Sequence, residues 1–234
     1  MSVRIWARGL IVAAAAACAG VGLADDDFGD DFGNGRWSYN FGATTDYRFR
    51  GISRSDNNPA MQGQVQYSDP SGLFANLRAS TVDFTPFGDT DASFEIDATA
   101  GFRYAFSPST EGVLKVVYSW FPDSDPPALI GDADYAEVIA GLGHDFGDFR
   151  LSGELAWSPD FSGGLGDAWA ITGGAGMPLV PQWWVFDRGI EASAHLGRQM
   201  LEDASDYTYG DLGVSARAGV FTVDLRYVDS SKNA

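Results

Sequence analysis

The chain has one cysteine, two histidines and few bases. It also has no long apolar run beyond its first two dozen residues. The cysteine, Cys18, lies in the N-terminal leader, so the rest of the chain has no disulfide framework and must be held by hydrogen bonds and packing. His144 and His195 do not make a Cys/His metal cluster. No G-x-S-x-G nucleophile motif occurs, and no glycine loop precedes a helix to hold phosphate. With 15 Lys and Arg against 32 Asp and Glu, the net charge of -17 excludes attraction to nucleic acid. No stretch after the leader reaches 18 consecutive apolar residues, so no spanning helix is expected. What is present is glycine (29 residues) and aromatics (14%), a profile that suits an antiparallel sheet.

Residues 1–24 have the plan of a secretory signal peptide. Arg4 and Arg8 precede an apolar stretch over 10–21, and Gly22-Leu23-Ala24 offers small residues for cleavage after Ala24. Loss of the two arginines moves the charge from -17 to -19. The acidic residues 25–35 read as a flexible N-terminal arm without EF-hand spacing, and 36–234 as one domain.

The dominant signal is alternation with period two. Trp37, Tyr39, Phe41, Ala43, Thr45, Tyr47 and Phe49 alternate with Ser38, Asn40, Gly42, Thr44, Asp46 and Arg48. The same pattern runs through 61–67, 94–105, 113–120, 149–158, 190–197 and 221–227. It is less clean over 73–84, 135–146, 168–178 and 207–218. About eleven strands are legible, near the length of 9–11 residues that crosses a bilayer when tilted. Connections alternate long and short. The long ones are 51–59, 86–92, 122–134, 159–167 and 199–206. The short ones are 69–72, 107–111, 147–148 and 218–219, while 179–188 is longer than its place predicts. The long loops carry Asp56, Asp89, Asp91, Asp123, Asp125, Asp132, Asp134, Asp160, Asp167, Glu202, Asp203 and Asp206. Individually these are solvated loop acids. Together they could hold divalent cations that bridge lipopolysaccharide.

This reads as an all-β antiparallel transmembrane barrel of about twelve strands (10–12), with an apolar outer face and aromatic girdles. Trp37, Tyr67, Tyr104, Trp120, Trp157 and Tyr227 are the girdle candidates. The other face is polar. Its expected lumen residues are Asp46, Arg48, Arg78, Glu95, Asp97, Arg103, Lys115, Glu137, Arg150, Glu154, Glu191, His195, Asp211, Arg217, Asp224 and Arg226. Their near balance of sign favours cross-strand ion pairs and weak selectivity. Ser193 and His195 share the inward face, but neither an oxyanion hole nor an orienting group is legible beside them. No catalytic, cofactor-binding or metal-binding residue is therefore expected.

At Asp46-Tyr47-Arg48-Phe49-Arg50-Gly51-Ile52-Ser53-Arg54-Ser55, then Asn58-Pro59-Ala60-Met61-Gln62-Gly63, the chain resembles the TorF family of porins. Tyr118-Ser119-Trp120-Phe121-Pro122, Trp157-Ser158-Pro159-Asp160 and Tyr227-Val228-Asp229 follow in order. The resemblance implies an outer-membrane barrel with a transport role and no catalytic residues. The first reading of the whole sequence is a channel for passive diffusion of small hydrophilic solutes, with outer-membrane lipid, lipopolysaccharide and the barrel-assembly machinery as partners. The alternative reading is a non-conducting structural or surface-interaction barrel with acidic, cation-binding outer loops. The family pattern continues past Tyr-Val-Asp into a further strand ending in Phe. The sequence here runs to Ala234 with an odd number of legible strands.

Overall fold

A computed structural model gives the structure of the chain and describes residues 9–16, 36–84, 92–122, 124, 133–180 and 189–232. The expected cleavage site at Ala24, the arm 25–35, the acids Asp89, Asp91, Asp123, Asp125 and Asp132, and the connection at 181–188 lie outside them.

The described residues are strands and turns. In chain order the strands are β1 (Gly9–Ala16), β2 (Arg36–Thr44), β3 (Arg48–Phe49), β4 (Ile52–Ser53), β5 (Ala60–Ser68), β6 (Leu73–Phe84), β7 (Ala92–Ser107), β8 (Thr110–Trp120), β9 (Tyr135–Asp145), β10 (Arg150–Ser158), β11 (Ala168–Val180), β12 (Ile190–Leu201), β13 (Tyr207–Ala218) and β14 (Phe221–Ser230). From β2 through β5 to β14, each strand pairs antiparallel with the next one along the sheet. The registers follow the side-chain alternation, for example Trp37↔Tyr67 and Asp97↔Ser119.

These eleven strands do not close on each other. β2 and β14 meet only through β1, which pairs Gly9↔Val228 to Ala16↔Phe221 on one side and Ala13↔Thr44 to Ala16↔Phe41 on the other. The expected twelve is reached only when this segment, read from the sequence as leader, is counted in the ring.

The short turns 69–72, 146–149 and 219–220 join strands at one end of the sheet, and the longer 45–59 and 159–167 connections join them at the other. Between β5 and β6, Asp69 folds a tight turn: its side chain accepts from the Ser71 amide at 2.8 Å and its carbonyl from the Gly72 amide at 2.9 Å. Gly72 has φ +97°, and a Cβ there would lie 2.2 Å from the Arg103 carbonyl oxygen, so the turn excludes a side chain. Between β9 and β10, the Phe146 amide bonds the Phe149 carbonyl at 2.9 Å.

The apolar face points outward. Trp37 (60% exposed), Phe41, Leu77, Leu114, Leu155 and Leu196 (71%) stand free of any protein neighbour that would bury them. A water-soluble sheet protein keeps such a set inside, because each exposed Leu or Phe forgoes about 1.5–3 kcal/mol of burial. The strand residues on the opposite face include many buried polar and charged groups, among them Asn40, Ser80, Glu95, Asp97, Lys115, Ser119, Glu137 and Gln199. Two outward aromatic pairs lie near strand ends. Trp37 and Tyr67 are 5.2 Å apart at the short-turn end, and Trp157 and Trp169 are 6.1 Å apart at the long-loop end.

The first long connection corrects the sequence reading. Alternation over 37–49 predicted one strand carrying Tyr47 and Phe49 on its outer face. The strand instead stops at Thr44, whose hydroxyl donates to the Asp46 carbonyl at 2.9 Å. Tyr47 turns inward to 6% exposure, and 48–53 folds back as the β3–β4 hairpin. Alternation cannot separate a continuing strand from a hairpin that happens to keep the same parity.

Candidate functional site

The site is the inner face of the sheet, and it has two parts. At the long-loop end the 45–59 connection folds across the opening. The turn joining β3 to β4 has Arg50 at φ 48° and Gly51 at φ 80°, the left-handed pair of a tight hairpin turn. Asp46 anchors the base, accepting from Arg48 Nε and Ser53 Oγ, each at 2.5 Å. Arg48 also donates to the Gly51 carbonyl at 3.1 Å and to Asn57 at 2.8 Å. Asp46 and Arg48 therefore line the opening from this hairpin, and not from a wall strand as expected.

The hairpin reaches the far walls. A Cβ on Gly51 would sit 2.8 Å from Ser230 Cβ and 2.9 Å from Tyr209 Cβ, so the tip is pressed against β13 and β14. Arg50 donates to Glu137 on β9 at 2.7 Å and to Gln199 on β12 at 3.0 Å. Arg54 donates to Glu95 on β7 and to the Tyr135 hydroxyl on β9. Its carbonyl accepts from the Asp83 amide at 2.9 Å. Tyr47 accepts from Arg78 at 2.7 Å, and Arg78 pairs with Asp97 at 2.6 Å. Ser119 donates to the other Asp97 oxygen at 2.6 Å. Around this polar web, Tyr47, Val82, Phe121 and Tyr135 form one apolar cluster. Tyr207, Tyr209 and Leu201 form a second with Ile52. Phe161, from the loop after β10, packs on both.

Toward the short-turn end the face is more open. Arg226 donates to Asp211, to Asp224 at 3.1 Å and to Ser193 at 2.9 Å. His195 Nδ1 lies 2.9 Å from the same Asp211 carboxylate. Lys115 faces Glu154 at 3.8 Å, and Arg150 pairs with Glu111. Arg103 lies over the Phe74 ring at 4.6 Å. Arg217 turns to the Gly219 carbonyl of its own turn at 3.2 Å, and Glu191 sits beside Gly176 near the same end. Most of the sixteen expected positions thus form opposite-sign pairs on the inner face.

Arg50, Arg54, Tyr47, Tyr135 and Gln199 were not read as lumen groups from the sequence. The signal for the first two was the Arg-Gly pair inside a run of three arginines, since a loop meant only to be solvated has no need of that much charge at one turn. Among the described residues the loop acids do not gather into a metal-binding group. They fasten loops instead. Asp134 accepts from the Phe121 amide at 2.7 Å, and Asp206 pairs with Arg198 at 2.9 Å. The Arg198 and Leu201 hydrogen bonds hold the Asp206 carboxyl below the usual carboxylate range.

A family described as "Bacterial protein of unknown function (Gcw_chp)" matches residues 33–234. No curated protein matches the sequence. A solved porin structure, refined at 1.8 Å, is similar at 11% identity and a TM-score of 0.39, over 95% of this chain and 99% of that one.

Proposed function

We propose that this chain, which belongs to the Gcw_chp family of bacterial proteins of unknown function, is a TorF-type outer-membrane channel for small hydrophilic solutes whose outer mouth is stoppered by its own first long loop. The observation that carries the reading is the inverted sheet, apolar outside and ion-paired inside. A hydrocarbon environment accepts such an outer face, and a water-filled interior accepts such an inner one. The aromatic strand ends suit the interfacial girdles of such a barrel, and the long loops belong at the cell exterior.

The stopper supports a second reading, a barrel that does not conduct. Arg54 and Glu95 are each nearly fully buried in the mouth, and Arg50 and Arg54 tie the loop to β7, β9 and β12. Planar-bilayer recording of the refolded chain separates the two. Rare or voltage-driven openings that become frequent when 47–57 is shortened support the gated channel. Silence in both proteins, each heat-modifiable on gels, would leave the structural barrel.

A further inference from the structure

Two of the eleven wall strands carry no charged residue. β5 turns Gln62, Gln64 and Gln66 inward, and β11 turns Thr172, Gly174 and Gly176 inward. In the strand order β5 and β11 stand six places apart in a sheet of twelve, so they face each other across the lumen. The same curl lets Arg50, from the loop after β2, reach Gln199 on β12.

The glutamines belong to a broader uncharged patch. One row runs Ser38 (β2), Gln66 (β5), Asn76 (β6) and Thr99 (β7), each directly opposite the next. Gln62 donates to Ser80 at 3.3 Å and Gln66 to Ser68 at 3.0 Å. Among the described residues no hydrogen bond engages the side chains of Gln64, Asn76 or Thr99, and all three are only half-buried. Each carboxamide offers two N–H donors and a carbonyl acceptor, and along one strand face such groups recur every roughly 6.6 Å.

The facing wall leaves room in front of them. Its glycines let neighbouring side chains lie flat against the sheet. A Cβ on Gly174 would lie 2.7 Å from His195 Cδ2, on Gly176 3.0 Å from Glu191 Oε1, and on Gly197 2.3 Å from Tyr209 Cζ. The charges beside the two walls are compensated locally. Arg78 pairs with Asp97 at 2.6 Å, Arg226 with Asp224 at 3.1 Å, and Arg150 with Glu111.

We infer that this lumen selects uncharged polyhydroxylated solutes, the chemistry of sugars, with Gln64, Gln66, Asn76 and Thr99 as the hydrogen-bonding track; the inference rests on the channel reading above. A sugar hydroxyl both donates and accepts, so it exchanges bonds to water for bonds of the same kind to amides, at little net cost. A carboxylate or ammonium of equal size gives up hydration and meets no counter-charge on this track.

The test is uptake of labelled glucose, gluconate and glucosamine by lipid vesicles that carry the refolded full chain. Mildly acidic buffer keeps the amine protonated, and about 0.3 M KCl screens the loop acids. Glucose should enter roughly 5-fold faster than either charged analogue, the worth of one net hydrogen bond. Shortening 47–57 should speed all three and keep their order, because the lumen and not the stopper sets it. Gln66→Glu places a carboxylate between Ser38 and Asn76, with no base directly opposite, and should move glucosamine ahead of gluconate. Gln64→Leu joined with Gln66→Leu should remove most of the glucose preference, and each variant is checked for heat-modifiable mobility. Equal entry of the three solutes, or a folded Gln66→Glu that leaves the two charged solutes level, would overturn the inference and leave the channel standing. Entry of none, with the folded chain full-length or shortened, would overturn both.

Discussion

Replacing Arg54 by alanine tests the stopper most directly. Arg54 is 2% exposed, and its partner Glu95, on the wall strand β7, is 1% exposed. Removing the cation leaves the carboxylate in the mouth without its hairpin partner. Breaking one side of a buried ion pair costs about 3–5 kcal/mol. The cost falls on the stoppered state alone, because with the hairpin withdrawn Glu95 meets water. At 1.36 kcal/mol per decade, the open-to-stoppered ratio should rise by roughly 150- to 5,000-fold. The assay is single-channel recording at matched protein load, with heat-modifiable mobility as the fold control. A companion variant, Arg54→Met with Glu95→Leu, removes both charges and keeps apolar bulk, so it should return most of the way to wild-type gating. If Arg54→Ala is folded and opens no more often than wild type, the hairpin does not control the mouth and the reasoning fails.

Leu155→Arg places a charge on the outward face. It should cost roughly 2–4 kcal/mol in urea unfolding from lipid vesicles if the residue lies at bilayer mid-depth. An unchanged midpoint would argue against lipid contact there. Gly197→Ala puts a methyl 2.3 Å from Tyr209 Cζ, whose hydroxyl lies 2.6 Å from Thr172 Oγ1. Overpacking of this kind typically costs about 1–3 kcal/mol, read as a lowered unfolding midpoint. The Asp206 carboxyl is held low by Arg198, so its support for the 202–206 loop is complete above the ordinary carboxylate range and lost as pH falls through its lowered value. Hydrogen exchange of the Leu201 amide should speed up there in wild type, and the acid-induced change should be absent in Asp206→Asn.

Much of the wall could be read from the residues. Where outward apolar and inward polar positions alternate strictly, as over 94–104 and 221–227, strand, register parity and face all followed. In those segments every second side chain must choose between lipid-like and water-like surroundings. The less regular 135–146 still puts Glu137 inside, but its inward neighbours are Tyr135 and Ile139, and no polar count would have marked them. The stopper escaped notice because its determinants are non-local. Arg54 finds Glu95 and Tyr135, 41 and 81 residues away, and Arg50 finds Gln199 across 149. Nothing in the spacing of 45–59 encodes those partners.

The sequence by itself determined that the chain is an alternating β protein with a polar face, an apolar face and loops of alternating length, because each of these is a local property repeated along the chain. Only the tertiary structure decided that the first long loop turns into the mouth, and that β1 lies between β14 and β2 where the eleven strands leave their gap. Those outcomes depend on which strands curl to face one another, and curvature is set by the whole sheet and not by any one segment.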